Sequence, residues 1–186
     1  MRYAGRGREH PVQTGDPVDA RAIPCLGPRP DPPDGWTWDA LMACALEEAA
    51  RAAARNEIPV GALVVHASGR VLARARNSPL ARHDPTAHAE ILALRRAGKA
   101  LGNYRLNNCV LVVTLEPCAM CAAALVHARV DGVVFGAADA VSGAVLSCDE
   151  TFSRPYFNHH VWHMGGIGAN DCAALLHAFF TLRRTP

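Results

Sequence analysis

Two short segments concentrate the residues able to do chemistry: Thr86-Ala87-His88-Ala89-Glu90 and, further along, Glu116-Pro117-Cys118-Ala119-Met120-Cys121. Cys118 and Cys121 stand three apart, so on a helix they share a face and both sulfurs reach one ion. Pro117 just ahead of them suits a helix start. The partial positive charge of a helix N-terminus favours the thiolate, which is the form that binds zinc. His88 adds a nitrogen. Two sulfurs and one nitrogen leave the fourth tetrahedral position open, as expected of a metal that activates water rather than one that closes a structural crosslink. Glu90 is read as general acid and base instead of a fourth ligand, because hydrolysis needs a group that moves protons between water, substrate and leaving group.

Two other readings use the same residues. In one, a closed structural zinc site is completed by Cys109, Cys148, Cys172 or another histidine, and Glu90 is solvated on a helix. In the other, Cys-x-x-Cys is a thiol redox motif, although no thioredoxin-like organisation surrounds it.

The elements that must position these residues follow from periodicity. Leu41, Cys44, Ala45, Leu46 and Ala49 recur at helical spacing from Trp38 onward. Ala62 to Val65 and Val71 to Ala73 flank Ser68-Gly69 as a hairpin would. After the polar segment Arg76 to Asp84, a helix is predicted over Ala87 to Gly98, with Gly98 as its end. Cys109 to Leu115 is a nearly continuous valine-rich run, as in a strand covered on both faces, and it leads into a helix from Cys118 to about Ala128. Val133 to Phe135 and His160 to Met164 are further strands, and Asp171 to Arg183 a terminal helix. Strands alternating with helices predict a three-layer α/β/α sandwich around a mixed sheet of about five strands. Both chemical segments then sit at strand-to-helix junctions, where ligands bind in such folds.

Residues 1–35 form a separate Pro-rich extension, with seven of the thirteen prolines by residue 34 and few large apolar side chains; they are expected to be mobile or extended. Residues 36–186 form the single globular domain. No apolar stretch nears the roughly 18–20 residues needed to cross a bilayer, and the first residues, where Glu9, Asp16 and Asp19 interrupt the arginines, fit neither a secretory signal nor a transit peptide, so a cytoplasmic protein with no membrane association is expected. Seven cysteines, two of them at Cys-x-x-Cys spacing, fit metal binding plus reduced thiols better than a disulfide framework. The net charge of +2 endorses nucleic-acid binding only weakly. Lys99 is the sole lysine among nineteen basic residues, a skew that a biased base composition of the genome explains before any preference for arginine at phosphates does.

The pairing of His-x-Glu with Pro-Cys-x-x-Cys resembles the zinc nucleobase-deaminase signature. More narrowly, Asn77 to Leu94 (NSPLARHDPTAHAEILAL), Asn103-Tyr104-Arg105-Leu106 and Val113 to Cys121 (VTLEPCAMC) resemble the bacterial tRNA-specific adenosine deaminases. The likeness runs from about Trp38 to Arg184. It takes in Glu57-Ile58-Pro59-Val60-Gly61, Val133 to Ala137 with Asp139, Asn158-His159, and Cys172-Ala-Ala-Leu-Leu with Phe179-Phe180.

This resemblance implies a cytidine-deaminase-like fold, one Zn2+ per subunit and a homodimer whose two subunits build the RNA-binding surface. It implies hydrolysis of the wobble adenosine to inosine in the anticodon loop of an arginine tRNA, with the base flipped into the zinc pocket. It assigns His88, Cys118 and Cys121 to the metal and Glu90 to catalysis. It also places Asn77 on the flipped base, the backbone amide of Ala89 on the oxygen at the metal, and Ile58, Pro59 and Val60 in the pocket wall. Ala138 and Val141 stand where the family often carries basic residues, and the chain ends soon after Arg183-Arg184, which implies fewer phosphate contacts. The alternatives are a zinc deaminase of a free base or nucleoside, of guanine or cytosine type, and a non-catalytic zinc-stabilised RNA-binding module.

Overall fold

The structure, a computed structural model, describes residues 30–184. Its sheet has five strands: β1 (Gly61–His66), β2 (Val71–Arg76), β3 (Cys109–Leu115), β4 (Gly132–Ala137) and β5 (Trp162–Met164), in the order β2-β1-β3-β4-β5. The β2–β1 and β1–β3 pairs are antiparallel, while β3–β4 and β4–β5 are parallel. The mixed sheet expected from the alternation of elements is therefore present.

Helices cover both faces. On one side lie α1 (Trp38–Ala53) and α5 (Ala169–Arg184); on the other lie α3 (Ala89–Leu101) and α4 (Ala119–Ala128). The strand residues divide accordingly: Leu111, Val113 and Phe135 enter the core under α3 and α4, while Val110, Val112 and Val134 enter the core under α1 and α5. Alternate residues of β3 thus serve opposite cores, which is why its apolar run is unbroken. Truncating Phe135, which has no exposed surface, costs about 3–5 kcal/mol on general grounds.

Three local features differ from the periodicity reading. A short helix, α2 (Pro79–Arg82), occupies the segment read as merely polar. Its first turn is secured by the buried Glu57 carboxylate, which accepts the amides of Leu80 (3.3 Å) and Ala81 (2.8 Å). The second helix begins at Ala89 rather than Ala87, and it runs past Gly98 to Leu101. Gly102 (φ 63°) supplies the left-handed residue, and the Asn103 amide returns to the Gly98 carbonyl at 3.1 Å, so the true stop lies four residues later.

Residues 1–29, most of the segment expected to be mobile or extended, lie outside the described residues. From Pro30 onward the chain is tied to the domain. The Asp34 amide donates to the Ala67 carbonyl (3.0 Å), Trp36 Nε1 to the Gly69 carbonyl (2.8 Å) and Trp38 Nε1 to the Pro30 carbonyl (3.0 Å). This clip closes over the β1–β2 turn. Among the described residues no helix is long and apolar enough to cross a membrane.

Candidate active site

The two chemical segments meet at one end of the sheet, where β3 finishes and β1 begins. The Gly61 amide donates to Thr114 Oγ1 (3.1 Å), which sets the start of β1 level with the end of β3. His88 is the N-cap of α3 and Cys118 the N-cap of α4, both with extended backbone. An N-cap side chain ordinarily accepts an amide of its own helix. Neither of these does, and both are free to turn toward each other.

His88 Nδ1 lies 3.7 Å from Cys118 Sγ and 3.6 Å from Cys121 Sγ, and the three donor atoms all fall within 4.8 Å of one another. A tetrahedral zinc ion with ordinary Zn–N and Zn–S bonds sets such N···S separations at about 3.6 Å, so the donor set fits that metal. The cluster is held by two helix starts rather than on one helical face, since Cys118 precedes its helix and Cys121 sits in the first turn. Among the described residues no fourth His, Cys, Asp or Glu joins it. Cys109 lies at the far end of β3, Cys172 is buried on α5, and exposed Cys148 contacts the carbonyls of Asp139 and Ala140. Among the described residues the closed structural zinc site therefore lacks a fourth donor.

The electrostatics favour an anion on Cys118. Its thiol is held down at about 4, first by the hydrogen bond from Cys121 and then by that from His88, against the effect of burial. Cys121 is pushed up by its hydrogen bond to Cys118 and by burial, and His88 is raised by its bond to Cys118. Glu90, only 4% exposed, lies in the first turn of α3 beside these groups. Burial raises its carboxyl above the usual carboxylate range.

His88 and Cys118 of the cluster, with Glu90, line a cavity of about 700 Å³, within the range that holds small ligands. Ile58, Val60 and Asn77 form one wall, and the loop Ala138–Ser142 forms the other. Phe179, Phe180 and Arg183 of α5 reach the mouth, where the Arg183 guanidinium stacks 3.6 Å over the Phe179 ring and bonds Asn56. Ile58, Leu80, Val141 and Phe180 are exposed around the rim. Pro59 is buried behind the wall and does not line the cavity.

Asn77, 12 residues before Ala89, is oriented by it: the Ala89 amide donates to Asn77 Oδ1 at 2.8 Å. An N–H can be met only by the oxygen, so the assignment of the amide ends follows. The Ala89 amide, expected to face an oxygen at the metal, is thereby already engaged. Asn77 Nδ2 has no hydrogen-bond partner among the described residues, and Asn77 lines the cavity.

Two buried carboxylates escaped the sequence reading as pocket builders. Glu57 holds α2 beneath Leu80, and Glu116 holds the loop after β4. The signal available was an acidic residue beside apolar runs, Glu57 before Ile-Pro-Val and Glu116 after Val-Thr-Leu, but their partners are 23–31 residues away.

The zinc-binding region of cytidine and deoxycytidylate deaminases, as a family, matches residues 37–137. The chain is 44% identical over 144 residues to the tRNA-specific adenosine deaminase of Haemophilus influenzae, a match covering 77% of this chain and 83% of that protein. A solved structure described as concerning A-to-I editing by tRNA:A34 deaminases at the wobble position of transfer RNA shares 44% identity. Its TM-score is 0.72, and the match covers 74% of this chain and 99% of that one. The guanine deaminase of Nitrosomonas europaea shares 25% identity at a TM-score of 0.66, over 95% of this chain and 100% of that one.

Proposed function

Since the chain belongs to the family of the cytidine and deoxycytidylate deaminase zinc-binding region, we propose that it converts adenosine to inosine at the wobble position of tRNA, with arginine tRNA as the target. The chain is a zinc-dependent hydrolytic deaminase acting on a nucleobase-type substrate. The observation that carries the reading is the placement of Glu90, buried at the floor of the cavity two residues after His88 and beside the three-donor cluster. A structural metal has no use for such a carboxylate.

His88, Cys118 and Cys121 would hold one zinc ion per subunit, which when bound would supply a water acidified toward neutral pH. Glu90 takes the proton of that water on its carboxylate and delivers it to the ring nitrogen beside C6 of adenine. As the C6–O bond forms, Glu90 carries the proton left on that oxygen to the exocyclic amine; the C6–N bond then breaks, ammonia leaves, and the ring nitrogen keeps the first proton. Asn77 presents Nδ2 to an acceptor on the purine edge, while Ile58 and Val60 pack on the base face, backed by Pro59. Ala89 acts through Asn77, whose orientation its amide fixes. The exposed apolar rim of Ile58, Leu80, Val141 and Phe180 suits bases splayed from a single-stranded loop, which stack and pack rather than pair.

The proposed assembly is a homodimer in the cytoplasm, where thiols stay reduced. Its support includes a groove between α3 and α4 that is lined by Ile91, Leu94 and the exposed Tyr104. Residues 36–186 form the deaminase domain.

A second reading, deamination of free guanine, draws on the likeness to the Nitrosomonas enzyme over 95% of this chain. One experiment separates them. Zinc-loaded protein is incubated with arginine tRNA, its anticodon hairpin, and free adenosine, cytidine and guanine, and inosine and ammonia are measured. Inosine in the RNA is expected; turnover of free guanine without RNA turnover overturns the tRNA reading.

A further inference from the structure

We infer that Glu116 is a positioning residue of this enzyme, shaping the substrate wall by gathering the Asp139–Ser147 loop onto the start of the metal-bearing helix. The assignment of that wall to substrate rests on the reading above. Glu116 directly follows β3 and precedes Pro117-Cys118, and it is 2% exposed. Its Oε1 accepts the amides of Val145 (3.1 Å), Leu146 (2.7 Å) and Ser147 (2.9 Å). Its Oε2 accepts the amide of Asp139 (3.1 Å) and the hydroxyl of Ser147. Four amides and a hydroxyl use the lone pairs that two carboxylate oxygens offer. Glu116 therefore has no acceptor capacity left for moving substrate protons, unlike Glu90.

The loop that wraps this carboxylate is the one that walls the cavity. Asp139 and Ser142 line it beside Ala138, Ala140 and Val141, and Val141 is 91% exposed at the rim. Asp139 closes the turn by accepting the Val141 and Ser142 amides at 3.0 and 3.1 Å. The same loop also docks on the metal-bearing segment. Gly143 bridges Cys118, and the Ala144 amide donates to the Pro117 carbonyl at 2.9 Å. A side chain at Gly143 has no room, since its Cβ would stand 2.5 Å from Glu116 Oε2 and from the Asp139 carbonyl. One carboxylate thus couples the wall to Cys118.

Glu116→Gln keeps the shape but replaces an acceptor oxygen with an NH2 group that faces the Asp139 amide or the Val145–Ser147 trio. Gly143→Ala displaces the same loop without changing charge, and Ser147→Ala removes one of the five donors. The test combines zinc content, amide deuterium uptake over 139–147, and steady-state kinetics with the anticodon hairpin. For Glu116→Gln and Gly143→Ala the expected result is about one zinc per chain, at least about tenfold faster exchange in the loop, and KM raised about tenfold with kcat within about threefold, as the loss of hydrogen bonds to a charged group implies. Ser147→Ala gives the same pattern more weakly. A merely structural role lowers the active fraction and leaves KM unchanged.

KM within twofold of wild type in both Glu116→Gln and Gly143→Ala, or unchanged loop protection in both, overturns the inference. Deuterium uptake needs no substrate. A wild type that turns over guanine but no RNA thus overturns the tRNA reading, while the same exchange and KM comparison run with guanine decides the role of Glu116.

Discussion

His88 and Cys118 hold the same position, the N-cap, of α3 and α4, and their Nδ1 and Sγ atoms stand 3.7 Å apart. Two helix starts brought face to face contribute donors 30 residues apart in the chain. A bound ion therefore ties together two elements of one helical layer, and its loss is felt in stability as well as in turnover.

Chelation is accordingly expected to lower the thermal midpoint, and restoring zinc to raise it. The stabilisation reaches about 2.7 kcal/mol when free zinc is a hundredfold above its dissociation constant. Differential scanning fluorimetry across a zinc titration measures this. A midpoint indifferent to zinc would mean that the donors do not bind it.

Glu90→Gln keeps all three donors while removing the carboxylate to which the proposed mechanism gives the proton transfers. Zinc content should stay at about one per chain, and turnover should fall by about 10²–10⁴-fold. Metal analysis together with inosine formation checks both halves. Zinc lost with the substitution would put Glu90 among the ligands.

Asn77 holds the Ala89 amide with one amide end and is proposed to meet the base with the other, and two substitutions separate these roles. Asn77→Asp keeps an acceptor for the Ala89 amide but has no Nδ2, so stability should hold while KM rises. Asn77→Ala also removes the acceptor at the α3 start and should cost about 1 kcal/mol of stability, by analogy with lost helix caps. Equal melting temperatures for the two variants would contradict this division.

Val141 stands exposed at the rim in a loop poor in cations. Val141→Lys is expected to tighten RNA binding at low salt and to steepen the dependence of log K on log salt by about 0.7, the contribution of one phosphate contact on a single strand. Filter binding from low to moderate salt reads the slope. An unchanged slope would place the RNA backbone away from this loop.

The legible part of the site was local. Cys-x-x-Cys after proline and His-x-Glu at a helix start announce themselves because spacing alone carries the chemistry, and the valine run of β3 announces a strand with two covered faces. What stayed hidden depends on partners distant in sequence. Helix α2 exists because Glu57 meets its amides from more than twenty residues upstream. The extension of α3 past Gly98 was missed because Gly98 serves as an acceptor inside the helix while Gly102 does the stopping. Asn77 was recognised by likeness to a family, but its bond to the Ala89 amide has no periodic signature.

The clip formed by Asp34 and Trp36 closes over the β1–β2 turn, whereas the metal donors sit where β1 begins. Those two ends of β1 are on the order of 20 Å apart at strand rise. For immobilisation or fusion, a tether joined ahead of Pro30 thus enters the domain at the end of the sheet away from the cavity mouth, whereas one appended after α5 starts from the helix that borders it.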